Sequence, residues 1–190
     1  MTLYIFDMGG VVALDTDVFP ALSEHLKLTP ELFYKVAGPG LALLMDGLIT
    51  AKEFWANFSA QTGITVQEEL FVKYFKPRLD RVMTALIQML KKESRVVCGT
   101  NTLDPHYDYL KPRGYYDIFD AVYASNKIGV SKPRPEFYRY ILNAEGVEPH
   151  HTVFIDDFEE NVHAAEALGI SSILFKNAAG LRSDIEKIKR

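Results

Sequence analysis

The chain has 190 residues and only one cysteine, Cys98. A lone thiol excludes an intrachain disulfide and a cysteine-rich zinc site, and it fits a reducing compartment such as the cytoplasm. There is no excess of positive charge. The formal net charge of −4 is opposite in sign to that of a nucleic-acid-binding surface, so no nucleic-acid partner is expected. No apolar run approaches the roughly 18 residues that cross a bilayer, so no membrane partner is expected either. The N-terminus has no basic segment leading into a long apolar stretch, so no signal peptide is expected. Internal repeats and low-complexity tracts are missing. The five histidines show no metal-ligand spacing. His150 and His151 are expected in a surface turn and His163 on a helix face. What is present is a 48% hydrophobic share beside 24% charge, the balance of a compact protein. The length suits one core domain with a small insertion, as a monomer or a homodimer.

Five short apolar runs read as strands. They are Leu3 to Phe6, Arg95 to Cys98, Ala121 to Ala124, Thr152 to Ile155 and Ser171 to Phe175. They are rich in β-branched and aromatic residues with little polar alternation, as in a parallel sheet covered on both faces. Helical periodicity lies between them. Asp80 to Lys92 places Val82, Leu86, Met89 and Leu90 on one stripe, and Pro135 to Ala144 groups Phe137, Tyr138, Ile141 and Leu142. Glu159 to Leu168 carries Val162, Ala165 and Leu168 and stops at Gly169. From residue 80 onward strand and helix alternate, which predicts an α/β fold with a doubly wound, Rossmann-like parallel sheet.

Residues 15–77 contain no convincing strand. Phe19 to Leu26, Pro30 to Val36 and Ala51 to Gln61 read as short amphipathic helices, and Thr50 with Glu53 fits a capping box. Phe54, Trp55 and Phe58 are expected to form a small core there, and Gly38-Pro39-Gly40 to make a turn. The expected organisation is a core of residues 1–14 and 78–190 with a helical cap, residues 15–77, inserted after the first strand. An insertion at a strand's C-terminal end lies over the place where open α/β sheets bind ligands.

The residues expected at those strand ends are Asp7, Thr100 and Asn101, Ser125, and Asp156 and Asp157, with Lys132 in the loop from Gly129 to Pro135. These types suit phosphoryl transfer, which needs positioning and charge stabilisation. Carboxylate oxygens suit Mg²⁺, and a carboxylate can attack phosphorus to form an aspartyl-phosphate. Thr100 and Asn101 can donate to phosphate oxygens, and Lys132 can neutralise developing charge.

Four segments occur in order: Phe6-Asp7-Met8-Gly9-Gly10-Val11-Val12, Gly99-Thr100-Asn101, Lys132-Pro133, and Phe154 to Asn161 around Asp156 and Asp157. Together they resemble the haloacid dehalogenase superfamily over nearly the whole chain. The pattern is that of its helical-cap phosphatases, such as the bacterial phosphatases of glucose 1-phosphate. The resemblance implies that Asp7 is the nucleophile and Lys132 the catalytic charge stabiliser. It implies that Thr100, Asn101 and Lys132 bind phosphate. It assigns Mg²⁺ to Asp7, Asp156, Asp157 and the carbonyl of Gly9. The expected substrate is a small phosphorylated metabolite such as a sugar phosphate.

The resemblance fails at one position. Most phosphatases of the superfamily carry a second aspartate two residues after the nucleophile, and here that residue is Gly9. The group lost is a general acid and base, worth about 10²–10⁴-fold in rate. Asp15 and Asp17 lie close enough in sequence to be substitutes. Gly9 therefore supports a second expectation, a phosphate-binding protein with little or no turnover. A third, dehalogenation at carbon, needs no metal and is opposed by the Asp156-Asp157 pair. Isomerase chemistry of the phosphomutase kind is suggested by analogy alone. Asn161 is expected to brace the loop after Asp157, Cys98 to be buried and inert, and Met45 and Asp46 could face the substrate.

Overall fold

The computed structural model describes residues 2–188. The chain runs β1 (Leu3–Phe6), β2 (Ala13–Leu14), α1 (Phe19–His25), α2 (Pro30–Met45), α3 (Ala51–Thr62), α4 (Leu70–Tyr74), β3 (Arg78–Leu79) and α5 (Arg81–Leu90). It continues through β4 (Arg95–Thr100), α6 (Asp104–Leu110), β5 (Ala121–Ala124), α7 (Ser125–Ile128) and α8 (Pro135–Glu145). It closes with β6 (Thr152–Asp156), α9 (Glu159–Glu166), β7 (Ser171–Leu174) and α10 (Ala178–Ile188).

Five strands form one sheet in the order β5-β4-β1-β6-β7, every pair parallel. This is the expected α/β, Rossmann-like sheet. β1 is central, and its Ile5 lies between Val97 of β4 and Phe154 of β6. The chain winds from β1 to β4 and β5, then crosses back to β6 and β7. The direction therefore reverses at β1, and a crevice opens beyond the C-terminal ends of β4, β1 and β6.

Alternate side chains of the strands enter two layers. Leu3, Ile5, Val97 and Phe154 pack with Phe137, Tyr138, Ile141 and Leu142 of α8 and Ala165 of α9. Tyr4, Phe6, Val96, Cys98 and Ile155 face the other layer, with α5, α6 and α10. On α5 the buried residues are Met83, Leu86, Ile87 and Leu90, whereas Val82 and Met89 are exposed. The expected stripe is thus turned by about one residue. Asp80 caps the helix by accepting from Val82 N and Met83 N, which fixes where the first turn begins.

Residues 15–77 are helical, as expected, with one correction. Gly38-Pro39-Gly40 is not a turn: α2 runs through it to Met45. Pro39 removes one helical hydrogen bond and crowds the preceding turn, at a cost of about 3 kcal/mol. Burial of Phe33, Leu41 and Leu44 on one face offsets it at roughly 1.5–3 kcal/mol each. Gly40 allows close packing, since a β-carbon there would come to 3.0 Å from the Phe54 ring of α3. The capping box is present: Glu53 N donates to Thr50 Oγ1 at 3.2 Å and Thr50 N to Glu53 Oε2 at 2.8 Å. Phe54, Trp55 and Phe58 are buried, but they belong to the same apolar cluster as Tyr4 and Phe6 of β1.

A two-stranded antiparallel ladder pairs Ala13 with Leu79 and Leu14 with Arg78 at the two ends of the helical segment. Two-residue strands carry no periodicity, so nothing in the sequence announces this ladder. The sequence reading also lacks α4, α6, α7 and α10. The helical segment is tied down at further points. Ser125 Oγ donates to Met45 O at 2.7 Å, Tyr115 Oη to Pro77 O at 2.7 Å, and Arg134 pairs with Asp46. The buried His106 of α6 stacks on Phe75, with ring centroids 3.9 Å apart, and donates through Nε2 to Phe71 O at 3.2 Å. No helix among the described residues is long and apolar enough to cross a membrane.

Candidate active site

β1 ends at Phe6, and Asp7 continues its direction, donating its N–H to Ile155 O of β6 at 2.9 Å. The chain then turns sharply. Val12 N and Ala13 N both donate to Met8 O, at 2.9 and 2.7 Å, and Gly10 N donates to Ala13 O at 2.9 Å. The carbonyl of Gly9 is left out of these bonds. Gly10 adopts φ +73°, and any β-carbon there would overlap the carboxylate of Asp157, so the backbone and that acid are in direct apposition.

Lys132 is at the centre of the site, with a side chain only 1% exposed. Its Nζ donates to Asp7 Oδ1 at 2.7 Å, to Asp156 Oδ2 at 2.7 Å and to Gly99 O at 2.9 Å. Three protons thus meet three acceptors. The loop is held by Asn101, whose Nδ2 donates to Lys132 O at 2.9 Å and whose Oδ1 accepts from Lys132 N at 2.8 Å. Asn101 therefore spends its amide on Lys132. Thr100, the last residue of β4, is buried beside it.

Asp156 is fully buried at the end of β6. Besides Lys132 it accepts, on Oδ1, from Phe158 N at 2.8 Å and from Asn161 Nδ2 at 3.0 Å. Asn161 braces this loop as expected, and Tyr138 Oη ties it to α8 by donating to Asn161 O at 2.8 Å. Asp157 is different: its Oδ1 is buried and has no hydrogen-bond partner.

One oxygen each of Asp7, Asp156 and Asp157 lies within 4.8 Å of the others, and the Lys132 ammonium bonds to the first two of these carboxylates. Burial pushes the Asp7 carboxyl up to about 7; Lys132 opposes the rise, and Asp156 and Asp157 add to it. Burial and Asp156 raise Asp157 as well. Burial works against the charge of Lys132, but Asp7 and Asp156 outweigh it and hold the ammonium above its usual range. The cluster is short of positive charge. An orphaned buried carboxylate oxygen in an all-oxygen donor set fits a hard divalent cation such as Mg²⁺.

Asp7, Thr100, Asn101, Lys132, Asp156 and Asp157 thus converge at the crevice where the winding reverses. Other candidates have other roles. Ser125 links Met45 to the main chain of Thr102, whose N–H it accepts at 3.0 Å. Asp46 is taken up by Arg134. Asp15 pairs with Arg78 at 2.7 Å on the surface, and Asp17 accepts from Phe19 N at 3.0 Å. Burial pushes the Cys98 thiol up, consistent with an inert strand residue. His150, His151 and His163 are exposed. One nearby residue had no signal in the sequence: a β-carbon on Gly9 would lie 3.1 Å from Thr16 Oγ1.

Residues 1–169 match the family of haloacid dehalogenase-like hydrolases. A sesquiterpene phosphatase of Aspergillus oryzae is 31% identical over 185 residues, 87% of this chain and 85% of the relative. A D-ribitol-5-phosphate phosphatase of Bacteroides thetaiotaomicron is 26% identical over 201 residues, 97% of this chain and 96% of the relative. A crystal structure of a haloacid dehalogenase family enzyme from the same bacterium, a magnesium complex, superposes with TM-score 0.78 at 25% identity. That superposition covers 93% of each chain.

Proposed function

We propose, from the premise that this chain belongs to the haloacid dehalogenase-like hydrolases, that it is a Mg²⁺-dependent phosphatase of a small phosphorylated metabolite. The observation that carries the reading is Lys132 bridging Asp7 and Asp156 beside the unpaired Asp157 oxygen. The cation would be held by Asp7, Asp156, Asp157 and the Gly9 carbonyl. When bound it supplies positive charge that screens the phosphate from the nucleophile.

In this reading Asp7 attacks phosphorus with Oδ2, the oxygen not bonded to Lys132. The ester P–O bond breaks, the alcohol oxygen leaves with the bonding pair, and Asp7 carries the phosphoryl group. Thr100 and Asn101 hold its peripheral oxygens, Asn101 from its main chain because its amide is engaged, and Lys132, whose three protons are already taken, binds the phosphate through its charge. Water then attacks phosphorus and the P–Oδ2 bond breaks. Gly9 offers the leaving oxygen no acid, which favours substrates whose leaving group is stable as an anion, such as an anomeric sugar phosphate. Helices of residues 15–77 act as the cap over the site.

The test is phosphate release from a panel of sugar phosphates with and without MgCl₂. Metal-dependent release that vanishes in Asp7→Asn is expected; no turnover on any substrate would count against the reading. A second substrate class, prenyl phosphates, is favoured by the sesquiterpene phosphatase relative and belongs in the same panel.

A further inference from the structure

We infer that Thr16 positions the water that releases phosphate from Asp7; this rests on the phosphatase reading above. The starting point is Gly9. Its backbone is not in the left-handed region, unlike that of Gly10, so no conformational rule demands glycine there. The adjacent space is what is restricted. A β-carbon on Gly9 would come to 3.1 Å from Thr16 Oγ1 and 3.7 Å from Thr16 Cβ. The hydroxyl thus occupies the place a side chain at position 9 would enter.

That place lies in the turn that follows the nucleophile. Gly9 is two residues from Asp7, and two residues span at most about 7 Å between α-carbons. The flanking acids define which group is available. Asp15 turns outward to Arg78 and Asp17 accepts from Phe19 N, and Thr16 between them is half-buried. Among the described residues its hydroxyl makes no hydrogen bond within the protein, so both its donor and its acceptor capacity are free.

A hydroxyl can orient water but does not ionise near neutrality, so it takes no proton. The second half-reaction then balances without it. The water oxygen bonds to phosphorus, the bond to Asp7 breaks, both water hydrogens end on dihydrogen phosphate, and Asp7 returns as a carboxylate. Such a step is slower than one served by a general base, and the aspartyl-phosphate accumulates.

The experiment is rapid mixing of the full chain with 4-nitrophenyl phosphate and MgCl₂. Wild type is expected to show a burst of nitrophenolate approaching one per protein, followed by a slower steady rate. Thr16→Ala is expected to lower the steady rate about five- to tenfold, more than the burst rate, as loss of one hydrogen bond does. Thr16→Ser is expected to restore it. Gly9→Asp combined with Thr16→Gly, which frees the space, is expected to raise the steady rate about 10²-fold and abolish the burst. Fast turnover without a burst, or burst and steady rates that move together in Thr16→Ala, would overturn the inference alone. No Asp7-dependent nitrophenolate release at all would overturn the phosphatase reading with it.

Discussion

Replacing Lys132 by Met retains most of the side-chain volume and removes the only ammonium among three carboxylates. Asp7 Oδ1, Asp156 Oδ2 and Gly99 O each lose a donor in a place closed to solvent. Removing one partner of a buried ion pair costs about 3–5 kcal/mol. The cost depends on pH, and its sign follows from the carboxylates. In the unfolded chain they titrate near 3.9. In the folded variant Asp7 titrates higher, because it reaches about 7 even with Lys132 in place. The native state therefore binds more protons than the unfolded state across this window, and its stability falls as pH rises. At pH 8.5 the loss is expected in the range of about 3–5 kcal/mol. At pH 5.5 the stranded Asp7 takes up a proton, and the loss is expected to shrink to about half of that. Urea unfolding of both proteins in EDTA, followed by far-ultraviolet circular dichroism, reads this directly. A loss under about 1 kcal/mol at pH 8.5, or the same loss at both pH values, would refute the buried-bridge account.

Two further outcomes concern neighbouring groups. Burial pulls His106 down to about 4, against a weak opposing effect of its bond to Phe71 O. Below its unfolded value of about 6.5 the unfolded chain takes a proton that the native state refuses, so stability drops by about 3 kcal/mol as pH falls from 6.5 to 4. His106→Gln is expected to flatten that slope relative to wild type in the same urea titrations, and a parallel slope would show that His106 is not its source. Saturating the site with Mg²⁺ at a hundred times its dissociation constant is expected to stabilise the fold by about 2.7 kcal/mol. Asp157→Asn is expected to lose most of that gain in melting curves at matched ionic strength, whereas an undiminished gain would take Asp157 out of the metal site.

The site was readable in the sequence where a buried strand ends. Phe6-Asp7 and Ile155-Asp156 each switch from apolar to polar at one residue, and the run Val96 to Cys98 passes through Gly99 into Thr100 and Asn101. A parallel sheet brings such ends to one edge, so residues far apart in the chain could be grouped before any contact was known. The parts that were not readable depend on packing. Pro39 reads as a break, and only the face formed by Phe33, Leu41 and Leu44 keeps α2 continuous. On α5 Val82 looks as apolar as Met83, and the Asp80 cap sets which one turns inward. Asn101 reads as a phosphate donor, but its amide pairs with the Lys132 backbone, a contact across 31 positions that no local pattern announces. Thr16 lies between two acids that attract attention, and its relation to Gly9 comes from the turn at Met8 to Ala13.

The ladder of Ala13-Leu14 with Arg78-Leu79 places the departure and the return of the helical segment side by side, about 5 Å apart. Connectivity alone would allow residues 15–77 to be cut out and the gap closed by a short turn, since closure entropy grows only slowly with loop length. The apolar interior prevents a clean cut. Phe33, Phe54, Trp55, Phe58 and Phe71 share one continuous cluster with the sheet face that carries Tyr4 and Phe6. An excised core would keep its topology and present a raw hydrophobic wound around His106 and Phe6, prone to self-association. The segment is thus detachable as a piece of chain but not as a piece of solvent-ready surface.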